Sequence, residues 1–214
     1  MNIETYNGFC SQIFVSRETF EKLSVFHNTL LKWQNSINLI SRSTINNIWE
    51  RHILDSAQLF KFVRDIDGNI LDFGSGAGFP GLVLAIMGKK NVHLVESDHK
   101  KCVFLKEISM LTEIDITIHN CRIENLRFIN VDLVTCRALA PLNKLIQYVE
   151  TYIRKSSKHN HLFPKLLFLK GKSYKSELSQ LNKKIHFKEF PSITDKDSKI
   201  LYVNKLDMLN VINE

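Results

Sequence analysis

Apolar residues near the start of the chain recur with the period of a helix. Between residue 16 and about residue 40 they follow one another at steps of three and four, which is typical of one face of an amphipathic helix. Ser16 is predicted to cap this helix, because its hydroxyl can accept a hydrogen bond from a free amide of the first turn. A second helical stretch is predicted over residues 44–63. We expect the two to form an N-terminal helical arm, residues 1–66.

From residue 67 onward, short β-branched or apolar runs alternate with helical segments, the latter at about 80–87, 99–111, 142–153 and 173–184. Such alternation indicates right-handed crossovers and a parallel, doubly wound sheet. The runs "IHFKEF" and "KILYVNKL" have no helix between them and predict an antiparallel hairpin at the sheet edge. We therefore expect residues 67–214 to form an α/β domain with a Rossmann-like, seven-stranded, mostly parallel sheet. The first five strands are predicted at Ile70–Phe73, Val92–Glu96, Ile116–His119, Val131–Cys136 and Leu166–Lys170.

Composition narrows the class of protein. The longest apolar run, residues 82–87, is far shorter than the roughly 20 residues of a membrane-spanning helix, and the first residues lack the pattern of a signal peptide. We expect a soluble, cytoplasmic protein with no membrane contact. The four cysteines are scattered and the eight histidines follow no ligand spacing, so we predict neither a disulfide nor a metal.

Positive charge is concentrated late in the chain. The net charge is +7, and residues 154–188 hold ten lysines or arginines against a single acid, Glu177. A concentrated basic surface favours a polyanionic partner through counterion release. Charge alone fits a solvated lysine-rich face equally well.

The stretch "ILDFGSGAGFPG", residues 70–81, places four glycines directly after the first predicted strand. A strand, a glycine-rich turn and a helix expose free backbone amides at the strand's carboxyl end, where a cofactor can approach closely. Pro80 is predicted at the first position of the helix. The spacing from Gly76 to Gly81 also satisfies G-x-G-x-x-G, so an oxidoreductase that binds a dinucleotide is an alternative.

Two features favour S-adenosylmethionine over a dinucleotide. Asp72 comes just before the glycines, and a carboxylate there can meet the cationic methionine portion of that cofactor. The terminal hairpin also completes a sheet that resembles the class I methyltransferase plan. Glu96 ends the second strand and can accept hydrogen bonds from a ribose, which suits either cofactor. These residues predict the cofactor contacts Asp72, Gly74, Gly76, Gly78 and Glu96.

Several longer motifs carry a more specific resemblance. They are "LLKWQNSINLIS", "RHILDS", "DFGSGAGFPGLVLAI", "ESDHKKCVFLKE", "CRIENL", "CRALAPL" and "FLKG", in this order over residues 30–171. Together they resemble the bacterial small-subunit ribosomal RNA guanine-N7 methyltransferases, the glucose-inhibited division protein B family. The resemblance implies the class I S-adenosylmethionine-dependent fold, methyl transfer to N7 of a guanine in 16S rRNA, and the small ribosomal subunit as partner. We expect the enzyme to act as a monomer.

The resemblance also implies roles for individual residues. The cofactor contacts it implies are Gly74, Phe79, Ile123, Glu124 and Arg137. The polar residues it implies for the pocket that holds cofactor or target base are Asn38, His52, Arg122, Arg137 and Lys170. Guanine N7 carries a lone pair and no proton, so transfer needs alignment and no general base. Cationic donors near guanine O6 would assist it, for which Arg122, Arg137 and Lys170 are the candidates. A basic RNA-binding protein with this fold and no turnover is the rival hypothesis.

Overall fold

A computed structural model describes residues 2–156, 163–181 and 185–206. Its seven strands form one sheet in the order β3-β2-β1-β4-β5-β7-β6, in which β1 to β5 pair in parallel and β7 runs antiparallel to both β5 and β6. The predicted sheet and terminal hairpin are confirmed, and β7 rather than β6 pairs with β5. The strands are β1 Ile70–Phe73, β2 Val92–Glu96, β3 Ile116–Asn120, β4 Leu133–Arg137, β5 Lys165–Lys170, β6 Ile185–Pro191 and β7 Lys199–Leu206.

The helices cover both faces of this sheet. Successive residues of β1 point to opposite sides, so that Ile70 packs with Leu84 of α5 while Leu71 and Phe73 pack with α7 residues such as Val149. None of the helices in the described ranges has the length and apolarity of a membrane span. The helices are α1 Tyr6–Cys10, α2 Arg17–Gln34, α3 Asp55–Ala57, α4 Phe60–Val63, α5 Gly81–Ile86, α6 His99–Thr112, α7 Leu142–Ile153 and α8 Tyr174–Ser179.

Helix α2 begins where the sequence predicts and ends earlier. The Ser16 side chain accepts a hydrogen bond from the Thr19 amide, which confirms the cap. The helix stops at Gln34 instead of continuing to about residue 40, because the Gln34 side-chain oxygen accepts hydrogen bonds from the amides of Leu39 and Ile40 and so turns the chain. Helix α5 begins at Gly81 with Pro80 in the capping position, one residue later than predicted.

The predicted second arm helix, residues 44–63, is not continuous. It comprises a 3₁₀ segment, Arg42–Asn47, a wide π-helical segment, Trp49–Leu54, and the short helices α3 and α4. In the π-helical segment Trp49, His52, Ile53 and Leu54 are all buried. π-Helical turns of this kind are frequent at functional sites, and the candidate residue His52 lies in this one.

The arm and the sheet share one core. Phe26 of α2 packs against Phe79 of the glycine loop and Phe104 of α6, with ring centroids 5.2 and 6.2 Å apart. Burial of this apolar area stabilises both parts together. The division at residues 66 and 67 stays a sequence-based prediction.

Candidate active site

The glycine loop has a backbone that other residues do not readily adopt. Gly74, Gly76 and Gly78 have φ angles of 65°, 55° and 96°, in the region that favours glycine. A Cβ at Gly74 would lie 2.5 Å from Leu139, and one at Gly78 would lie 2.6 Å from Leu82. At Gly76 the nearest atom to such a Cβ would be 3.8 Å away. The loop therefore packs tightly on two sides and leaves Gly76 open to a cavity.

This cavity, which we call the loop cavity, has a volume of about 520 Å³. The Glu96 carboxylate forms part of its wall and accepts hydrogen bonds from the amides of Gly76 (2.9 Å) and Asp98 (2.7 Å). A carboxylate has further lone pairs, so Glu96 can still accept from a ribose. The predicted residues that line the loop cavity are His52, Gly74, Gly76, Phe79, Glu96, Arg122, Ile123, Glu124 and Arg137.

Asp72 lies behind the glycine loop and does not line the loop cavity. It is fully buried, where its carboxylate accepts hydrogen bonds from the Thr135 hydroxyl (2.8 Å) and the Gly81 amide (3.2 Å). Burial raises the pKa of this carboxyl to about 6, against the hydrogen bonds that favour its charged form. Asp72 is therefore not placed to contact a cofactor in the loop cavity, contrary to the prediction, because its carboxylate turns inward and anchors the start of α5. Gly78 likewise packs against α5 and does not line the loop cavity.

A second cavity of about 440 Å³, which we call the hairpin cavity, adjoins the first. Its lining includes residues of the π-helical segment, the end of β5 and the β6–β7 connection. Four residues line both cavities and thus form a shared wall: His52, Arg137, Ala138 and Leu139.

Arg137 is the charged group of the shared wall. From the carboxyl end of β4 its guanidinium contacts the Arg51 carbonyl (2.9 Å), His52 Nδ1 (2.7 Å) and Asp55 Oδ2 (3.3 Å). It also lies over the Phe79 ring, 4.8 Å from the centroid. These contacts fix a permanent cation between the two cavities.

His52 holds this arginine as a neutral acceptor. A guanidinium can only donate, so His52 Nδ1 accepts, and Nε2 carries the proton that is donated to the Thr44 hydroxyl at 2.8 Å. Burial, followed by the charges of Arg137 and Arg51, lowers the pKa of His52 to about 3. The imidazole therefore stays uncharged near neutral pH, and its lone pair is committed to Arg137.

Lys170 ends β5 beside the hairpin cavity and is largely buried. Its ammonium lies 2.6 Å from Glu177 Oε2 and donates to the Ala140 carbonyl at 3.1 Å. Glu177 also accepts a hydrogen bond from the Leu142 amide at the start of α7. Lys170 thus anchors the segment that follows Arg137, in which Ala138 has a φ of 52°, a strained backbone of the kind found at functional sites.

Two of the predicted site residues, Arg122 and Asn38, are more exposed than His52, Arg137 and Lys170. Arg122 is exposed and lines the loop cavity, whereas Asn38 is exposed and lines a separate surface depression with Gln34 and Arg42. The structure therefore does not bring Asn38 to the other candidates. No group of three or more histidines, cysteines or acids placed to hold a metal occurs in the described part of the chain.

The three acids that line the hairpin cavity are not among the residues predicted from the sequence; they are Asp55, Glu177 and Asp195. One signal was available for Glu177, which is the single acid of the basic segment 154–188. Asp195 lies 144 positions from Arg51, its ion-pair partner, and nothing local marks it.

The fold defines the class of protein. Magnesium protoporphyrin IX methyltransferase from Synechocystis PCC 6803, solved with bound SAM, is similar with a TM-score of 0.55 at 13% identity, covering 90% of this chain and 99% of that one. The ribosomal protein L11 methylase from Lactobacillus delbrueckii subsp. bulgaricus gives a TM-score of 0.52 at 13% identity, covering 71% and 76%. The chain has the class I S-adenosylmethionine-dependent methyltransferase fold.

Sequence comparison defines the family. The family model described as rRNA small subunit methyltransferase G matches residues 19–200. Proteins named ribosomal RNA small subunit methyltransferase G from Paramagnetospirillum magneticum and Rickettsia prowazekii are each 42% identical over 194 residues, covering 90% of this chain and 91% or 97% of theirs. The chain belongs to the rRNA small subunit methyltransferase G family, which confirms the resemblance of its motifs.

Proposed function

We propose that the protein transfers a methyl group from S-adenosylmethionine to N7 of a guanine in 16S rRNA. Family membership supports the RNA substrate, and the shared wall of two adjacent cavities supports the reaction geometry. The observation that carries the proposal is Arg137, which contacts both cavities and is held by His52, Asp55 and the Arg51 carbonyl. In this arrangement the loop cavity takes the cofactor and the hairpin cavity takes the base.

The loop cavity fits the cofactor. Gly76 leaves the space that a side chain would fill, Glu96 can accept from a ribose diol, and Ile123 offers a buried apolar contact. When bound, S-adenosylmethionine supplies an electrophilic methyl whose carbon–sulfur bond breaks as the new carbon–nitrogen bond forms, the electron pair staying on sulfur.

The side chains around the cavities suit methyl transfer to a nitrogen that carries no proton, because such a transfer needs no general base. His52 cannot serve as a base, because its Nδ1 lone pair accepts from Arg137 and its pKa is lowered to about 3. Burial acts to raise the pKa of the Glu177 carboxyl, but its hydrogen bonds outweigh this and lower it, and hydrogen bonds also lower the pKa of the Asp195 carboxyl. Both carboxylates are therefore weaker bases than an ordinary carboxylate. Catalysis then rests on proximity and on Arg137, whose fixed charge can meet guanine O6 or a phosphate.

Family membership favours methyl transfer over the two alternatives. The oxidoreductase hypothesis rests on a glycine spacing that methyltransferases share, and no feature of the site favours an RNA binder without turnover. Exposed lysines that include Lys172, Lys175 and Lys188 offer a basic surface for RNA. Monomeric and cytoplasmic action stay predictions.

The proposal is tested by incubating the protein with radiolabelled S-adenosylmethionine and small ribosomal subunits from a strain that lacks the gene. We expect label in 16S rRNA and a mass increase of one methyl on one guanine. Unlabelled RNA would indicate a binding protein instead. Isothermal titration with S-adenosylmethionine beside NADH tests the cofactor, and binding of NADH alone would refute the assignment.

A further inference from the structure

Three carboxylates line the hairpin cavity, and they differ in what they already hold. Asp55 receives hydrogen bonds from Gln58, Thr194 and Arg137, and Glu177 receives them from Lys170, Ser173 and Leu142. Their side chains are 15% and 14% exposed, respectively. The Asp195 side chain is 27% exposed and is therefore the most accessible acceptor of the three.

The Asp195 carboxylate is held in a fixed orientation. One oxygen accepts from Arg51 at 3.1 Å and the other from the Asp197 amide at 2.9 Å. Four lone-pair positions on a carboxylate leave room for further donors at both oxygens. These same hydrogen bonds lower the pKa of the Asp195 carboxyl, so the group is charged at neutral pH.

The segment that carries Asp195 is bound to the helical arm. Gln58 donates to the Ser192 hydroxyl (3.0 Å) and accepts from the Ile193 amide (2.9 Å), and Thr194 donates to Asp55 (2.6 Å). This part of the β6–β7 connection is therefore a fixed wall of the hairpin cavity, suited to reading a ligand's shape and polarity.

Arg51 contacts both the shared wall and the segment that carries Asp195. Its carbonyl accepts from Arg137, which lines both cavities, and its guanidinium donates to Asp195, which lines the hairpin cavity. A base whose N7 faces the shared wall turns its opposite edge away from the loop cavity, toward residues such as Asp195. On guanine that edge carries two neighbouring donors, N1–H and the N2 amino group.

We propose that Asp195 determines base specificity by accepting hydrogen bonds from N1–H and N2–H of the target guanine, an inference that rests on the function proposed above. A carboxylate matches this pair of donors with its two oxygens. Adenine presents an unprotonated N1 at the same place, which a carboxylate repels. Asp195 thus accepts guanine and rejects adenine.

The test uses small subunits whose 16S rRNA carries either guanosine or inosine at the methylated position. Inosine retains N7, O6 and N1–H and lacks the N2 amino group. We expect the wild type to prefer guanosine in kcat/KM by about tenfold or more. The Asp195→Asn and Asp195→Ala variants should lower this preference to about one, because neither retains the pair of acceptors.

Two controls separate base recognition from loop structure. Asp197→Asn changes an exposed acid of the same segment and should keep the wild-type preference. Arg51→Gln removes the ion pair but leaves the carboxylate, so it should also keep the preference even if the overall rate falls. Retention of the wild-type preference in both Asp195 variants, or no preference in the wild type, would overturn the inference. Absence of any RNA methylation by the wild type would overturn the proposed function as well.

Discussion

Thr135→Val probes the buried carboxylate behind the glycine loop. Thr135 is fully buried and its hydroxyl donates to Asp72 at 2.8 Å, while valine keeps the shape and removes the donor. A hydrogen bond to a charged group contributes about 1.5–3 kcal/mol, and a neutral one about 0.5–1.5 kcal/mol. Because the pKa of Asp72 is raised to about 6, its folded form is charged at about pH 8 and largely protonated at about pH 5.

The expected loss of stability is therefore larger at the higher pH. The contribution of Asp72 to wild-type stability falls as pH rises from the ordinary carboxyl pKa of 3.8 to about 6, since the folded state holds the Asp72 proton more tightly than the unfolded state. Removing the Thr135 donor raises the pKa of Asp72 in the folded state further, so the decline in stability continues to a higher pH. At about pH 8 the variant should lose about 1.5–3 kcal/mol, or about 3–12 °C in Tm at 2–4 °C per kcal/mol.

Urea unfolding at the two pH values measures this difference. Thr112→Val is the matched control, because Thr112 is also buried and its hydroxyl donates to the Ile108 carbonyl instead of a carboxylate. Its loss should be the same at both pH values. An equal loss at both pH values for Thr135→Val would refute the reasoning that Asp72 is a charged acceptor in the folded protein.

Three further predictions concern the site. Arg137→Ala should reduce transfer by about 10²-fold or more with an unchanged circular dichroism spectrum, and wild-type-like turnover would remove Arg137 from the mechanism. His52 should remain neutral, with its proton on Nε2, as pH falls from 8 to about 5, since its pKa is lowered to about 3; imidazole NMR shifts that titrate near 6.5 would contradict the assigned contact with Arg137. Charge removal at exposed lysines should weaken RNA association and reduce its salt slope by about one per lost phosphate contact, measured by filter binding across salt concentrations, and an unchanged slope would place the RNA elsewhere. The lysines are Lys172, Lys175 and Lys188.

Local sequence was sufficient to predict many of the regular helices and strands. The bounds of β1, β2 and α7 match the prediction. Strands buried on both faces are short and mostly apolar, and an amphipathic helix repeats its apolar side chains at its own period. The glycine loop was equally visible, since its φ angles above zero demand glycine. Family motifs named Arg137 and His52 as candidate site residues, but nothing in the motifs indicates that the two side chains contact each other.

Tertiary structure decided which groups the polar side chains of the site contact. The sequence places Asp72 beside the glycines, but the packing of β4 and α5 turns its carboxylate inward to Thr135 and Gly81. Asp195 reaches the hairpin cavity because β7 lies between β5 and β6 in the sheet. This order brings the β6–β7 connection, which carries Asp195, back to the arm. Periodicity fixes which side chains are buried along one element, whereas hydrogen bonds between residues far apart in the chain depend on how the elements assemble.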